Sequence, residues 1–92
     1  MLAVYKYGGN INDVVEFSLP KGAQILQVDT QDNCSICLWA LVDTEVGGFL
    51  TRKIRIAGTG HPLEGLSVNY KYINTFTMHN ALWFHAFEIV GK

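Results

Sequence analysis

The stretch Arg52-Lys53-Ile54-Arg55-Ile56-Ala57-Gly58-Thr59-Gly60-His61-Pro62 gathers the residues of this chain whose types and spacing suit chemistry. Three cations lead into a turn in which two glycines flank a threonine, and the turn ends His-Pro. Glycine reaches backbone angles closed to other residues, so successive amide N–H groups and the Thr59 hydroxyl are expected to converge on one anion. Arg52 and Arg55 then supply positive charge, while Thr59, Gly60 and His61 complete the pocket. The motif is neither a triphosphate loop nor a dinucleotide fingerprint. It lacks G-x-x-x-x-G-K-[ST], a third glycine at the required spacing, and a β-α-β context.

Each of these residues also has a structural reading. Arg52 shares strand parity with Leu50, Ile54 and Ile56, and an arginine among core-facing residues needs a carboxylate, a partner chain or a ligand. The structural option is an ion pair with Asp43 or Glu45 across a hairpin. His61 is biased toward extended backbone by Pro62, and either presents its ring to a ligand or braces the loop through a carbonyl. Trp39, Trp83, Tyr5, Tyr7, Tyr70 and Tyr72 can stack on a nucleobase or fill a core; Trp39 or Tyr5 is the stacking face expected beside the loop. His85 has the parity of Trp83, Phe87 and Ile89, which suits a satisfied core or interface histidine.

Other chemistry finds few parts. Cys34 and Cys37 form a lone C-x-x-C without the second pair of a structural zinc site. Residues three apart on a strand point to opposite faces, so the pair reads as reduced thiols with Cys37 in the core. No metal or cofactor is expected. The carboxylates form no recognisable pair and no serine sits in a nucleophile elbow, so the chain reads as a non-enzyme, with a Cys37 dyad to His61 or His85 left open.

The elements that must position these residues are short strands. Alternating or apolar β-prone runs cover 2–7, 14–19, 23–29, 36–42, 49–57, 68–76 and 82–90, separated by Gly8-Gly9-Asn10, Pro20-Lys21-Gly22, Gln31-Asp32-Asn33, Gly47-Gly48, the Gly58 turn and Met78-His79-Asn80. The run 36–42 is apolar on both faces, as in a central strand or one covered by another subunit. Residues 43–48 suit a hairpin returning into 49–57. One short helix is possible between Leu63 and Asn69. Residues 1–92 thus read as a single all-β domain, a compact sandwich or partly open barrel of about seven mainly antiparallel strands.

Composition bears on partners. Apolar residues make up 49% and charged residues 16% of 92 residues, more apolar surface than one small core hides. A homo-oligomer, dimer or tetramer, is expected. A net charge of −1 without a basic patch argues against duplex nucleic acid, whereas a small anionic ligand needs only a few cations. No apolar run approaches the roughly 20 residues of a membrane span, and Met1 to Lys6 lacks the marks of a signal peptide, so an intracellular protein is expected.

The blocks Val4-Tyr5-Lys6-Tyr7, Leu19-Pro20-x-Gly22-Ala23-x-Ile25-Leu26-x-Val28, Cys37-Leu38-Trp39-Ala40-Leu41-Val42-Asp43, Gly58-Thr59-Gly60-His61-Pro62 and Phe84-His85-x-Phe87-Glu88 run over nearly the whole chain. They resemble a family of small proteins known from bacteriophage and prophage genomes as a domain of unknown function. Small phage β proteins of this size in turn resemble the anti-CBASS sponges, tetramers that sequester cyclic dinucleotides. That resemblance implies an immune-evasion protein in the cytoplasm of an infected bacterium, holding a cyclic nucleotide messenger without hydrolysing it. The alternatives are a phage protein that binds and inhibits a host protein, as an anti-CRISPR does, and a minor virion or assembly protein.

Overall fold

Alternation of apolar and polar side chains builds the strands. On one of them Val15, Phe17 and Leu19 are buried while Val14, Glu16 and Ser18 are exposed, the period of two that a half-buried strand requires. The computed structural model describes residues 1–32, 35–63, 69–79 and 81–90. Seven strands fill it: β1 (Leu2–Asn10), β2 (Val14–Pro20), β3 (Gln24–Thr30), β4 (Ser35–Asp43), β5 (Phe49–Gly58), β6 (Tyr70–Met78) and β7 (Leu82–Ile89). They form two antiparallel sheets, ordered β1-β4-β3 and β2-β5-β7-β6. The architecture is a sandwich, not a barrel, and no helix occurs among the described residues. The helix expected near 63–69 falls mainly on residues 64–68, outside those described.

The core lies between the sheets. Ile36, Leu38, Ala40 and Val42 of β4 face Ile54 and Ile56 of β5 and Ala86 of β7. Leu19, Ile36, Leu38 and Ile54 are fully buried, each contributing about 1.5–3 kcal/mol of transfer free energy. Phe76 and Phe84 stack at 5.9 Å between ring centroids, closing one end.

Two expectations about the chain path change. Strands β4 and β5 do not form a hairpin: β4 is flanked by β1 and β3, and β5 by β2 and β7, so residues 44–48 carry the chain from one sheet to the other. The glycines at 8 and 9 do not end β1. A Cβ on Gly9 would lie 3.2 Å from Cγ1 of Val15, so glycine here lets β1 run on close against β2.

A side chain fastens the opposite flank. Asn74 of β6 accepts from the Val28 N–H at 2.8 Å and donates to the Val28 carbonyl at 2.7 Å, so it pairs with the edge strand β3 as a backbone amide would. Both strands are irregular beside this junction, with register shifts between Tyr72 and Asn74 on β6 and between Ile25 and Gln27 on β3.

Candidate functional site

Arg52 does face inward on β5, opposite Phe17 of β2. Its partner is neither Asp43 nor Glu45, which both accept from the Met1 amino group, but Glu88 of β7. Arg52 Nε and Nη2 donate to the two carboxylate oxygens, and Nη1 donates to the Ala23 carbonyl at 2.9 Å. Hydrogen bonding to Glu88 raises the guanidinium above its ordinary value, against the lowering effect of burial. Arg52 therefore ties β5 to β7 and to the connection that leads into β3, and its charge is met within the fold.

Arg55 points to the outer face of the four-stranded sheet yet is only 6% exposed, because the turn after β5 folds back over it. Its Nη1 donates to the carbonyls of Ile56 at 2.6 Å and Asp13 at 3.4 Å, and Nη2 donates to the Pro62 carbonyl at 3.2 Å. Arg55 is the clamp that positions the Gly58–Pro62 turn. It is not an open phosphate contact, as the sequence had suggested.

The turn itself differs from an anion nest. His61 N–H donates to the Gly58 carbonyl at 3.0 Å, Gly60 takes φ 86°, and Thr59 N–H donates to the Trp83 carbonyl at 3.3 Å. These amides close a β-turn and extend the ladder to β7 instead of converging on a ligand. Gly58 makes room for a side chain: a Cβ there would sit 2.8 Å from Nδ1 of His61, so the imidazole packs directly over the glycine.

What the turn presents is its side chains. Thr59 Oγ1 lies 2.8 Å from Nε2 of His85, Nδ1 of His85 lies 2.9 Å from Thr75 Oγ1, and Thr75 Oγ1 lies 2.8 Å from the Tyr72 hydroxyl. This hydroxyl–imidazole chain runs across three elements on the outer face of the four-stranded sheet. In a neutral imidazole one nitrogen donates and the other accepts, so the chain can offer either character to a ligand at its ends. Around it stand aromatic groups: Phe87 meets Tyr70 and Tyr72 edge-on at 5.8 and 5.6 Å, while Trp83 is 56% exposed. A groove of about 300 Å³ lies at the turn, lined by Gly58, Thr59, His61, Ala81, Leu82, Trp83 and Phe84.

Of the residues expected to bind, Thr59 and His61 come together on this groove and Gly60 shapes its turn. Trp39 and Tyr5 do not line it. Both belong to the three-stranded sheet, Trp39 half-buried on its outer face and Tyr5 on its edge strand. Trp83 takes their place in its lining, and His85, Thr75 and Tyr72 lie beyond it, joined to it through Thr59. Cys37 is buried, as expected, but on the outward side of β4, where its thiol meets Gln31 Oε1 at 2.9 Å. Cys34 lies outside the described residues. Among those described, no cluster of three His, Cys, Asp or Glu side chains is arranged to hold a metal.

A family model for a domain of unknown function, DUF7352, matches residues 1–91. The chain belongs to DUF7352. No curated protein and no solved structure matches it. The match spans both sheets of this DUF7352 domain, so the turn, the Thr59–His85 chain and the Trp83 groove all lie within the family unit.

Proposed function

We propose that this DUF7352 domain binds a small nucleotide-type ligand, without hydrolysing it, on the outer face of its four-stranded sheet. The carrying observation is the exposed Trp83 indole beside the Thr59–His85–Thr75–Tyr72 chain. An exposed aromatic face next to directed donors and acceptors is what stacking and edge recognition of a base require. Positive charge for phosphate comes from Lys53, four residues before Ala57 on β5, and Ala57 is the partner of His85, so the cation stands about 13 Å along the sheet. A cyclic di- or trinucleotide spans that distance, which supports the messenger-sponge reading over that of a mononucleotide.

Calorimetric titration of the purified chain with a panel of cyclic di- and trinucleotides tests the reading. Binding of one member at or below about 1 μM is expected, and no binding across the panel would sink it. A protein-binding inhibitor is the second reading, supported by Val46, Phe49 and Leu50, all exposed at the crossing between the sheets. A stoichiometric host protein retained through purification, with no released nucleotide, favours that alternative.

A further inference from the structure

We infer that the edge strand β1 pairs with β1 of a second copy, joining two three-stranded sheets into one of six strands. Four strands lie at sheet edges: β1, β3, β2 and β6. Exposed edges invite pairing with another chain, and native folds block them with bulges, prolines, charges or covering groups. Three edges here carry such devices. β3 and β6 are both irregular in register and are fastened to each other by Asn74. β2 is seven residues long and ends at Pro20, which has no N–H to donate.

β1 has none of them. It runs nine residues in unbroken register with β4 and contains no proline, and among the described residues nothing pairs with its other edge. Its one charged side chain, Lys6, donates to Gln31 Oε1 at 3.2 Å, which draws it back over the sheet instead of outward from the edge. Tyr5 shares the inward parity of β1, opposite the fully buried Ala40, yet is 48% exposed because the sandwich is open along this flank.

The sequence of β1 is compatible with itself. About a two-fold axis at Tyr5, antiparallel pairing sets Tyr5 against its own copy, Val4 against Lys6 and Ala3 against Tyr7, so no like charges meet and an aromatic pair sits at the axis. About that axis residues 2–8 pair, and seven residues at about 3.4 Å give an edge roughly 24 Å long on a molecule 17 Å thick, roughly 400 Å² a side, the size of a weak, concentration-dependent interface. A second copy also answers the apolar surplus, since Leu2 and Val4 are 65% and 55% exposed. The interface is separate from the Trp83 groove and stands whether or not a nucleotide binds there.

Sedimentation velocity over a concentration series, with the full chain, tests the pairing. The wild type is expected to dimerise. Tyr5→Lys and Tyr5→Glu, which set like charges against each other at the axis, should each raise the dimer dissociation constant at least about tenfold, and mixing the two should restore the dimer. Hydrogen exchange of wild-type β1 amides should also quicken on dilution. A wild type that stays monomeric, a Tyr5→Lys variant that dimerises as the wild type does, or β1 exchange independent of concentration would overturn the inference.

Discussion

Replacing Asn74 by alanine removes two hydrogen bonds of 2.7 and 2.8 Å and leaves the Val28 N–H and carbonyl without their partner. Val28 is fully buried, so water cannot readily replace the amide. Each orphaned group costs about 1–3 kcal/mol, and some relaxation of the irregular edges of β3 and β6 lowers the sum to about 2–4 kcal/mol. Against a total stability of about 5–14 kcal/mol for 92 residues, that is a large fraction. The melting temperature should fall by about 8–30 °C, read by circular dichroism with urea denaturation for the free energy. Asn74→Asp separates the two bonds: its carboxylate still accepts from the Val28 N–H but repels the Val28 carbonyl. That repulsion raises the carboxyl pKa in the folded state, so protonation favours folding, and the deficit of this variant should shrink as the pH falls below about 5. A loss under about 0.5 kcal/mol for Asn74→Ala would refute the claim that this side chain joins the sheets.

Three further outcomes follow from the same geometry. Glu88→Ala strands the Arg52 guanidinium, whose side chain is 21% exposed, and should cost about 2–4 kcal/mol in urea denaturation, discounted from a fully buried pair for that exposure. Gly58→Ala drives a Cβ into the space of the His61 ring; nucleotide binding at the groove should weaken several-fold while the urea midpoint changes little, and unchanged calorimetric affinity would count against His61 as a groove wall. The Asp43 carboxyl is held below its ordinary value, first by the Glu45 N–H and then by the Met1 amino group. Its stabilising effect is therefore present above the ordinary carboxylate range and lost as the pH falls through the lowered value, so Asp43→Asn should flatten the acid limb of the stability profile.

Much of the fold was legible because each strand carries its own signal. The alternation of Val15, Phe17 and Leu19 and the doubly apolar run 36–42 are local, and so are the turn residues between them. Pairing was not legible. Gly47 and Gly48 suit a hairpin, but whether β4 and β5 adjoin depends on β1, β3, β2 and β7 taking their edges first, which no local pattern records. The Arg52 partner was missed for the same reason, since Glu88 is brought alongside by the β5–β7 ladder.

The candidate site was half visible. Thr59 and His61 stand out because glycine punctuation marks their turn, whereas Thr75 and His85 come from separate strands and meet only through the β6–β7 register. A signal for them was present in parity: His85 shares a face with Trp83 and Phe87, and a strand that is aromatic on its solvent side has something to cover or to bind. The basic segment misled because Arg52 and Arg55 are fastening groups. A guanidinium with five donors suits cross-linking backbone carbonyls as well as it suits phosphate.

The most direct measurement of the central claim is a calorimetric titration of the Trp83→Ala and Trp39→Ala variants with the cyclic nucleotide that the wild type binds most tightly. Loss of one stacking face costs about 1–3 kcal/mol, so Trp83→Ala should weaken binding by about 5- to 150-fold while Trp39→Ala, altered on the other sheet, binds as the wild type does. Retained affinity in Trp83→Ala, with the loss found in Trp39→Ala instead, would place the ligand on the three-stranded sheet and contradict the account.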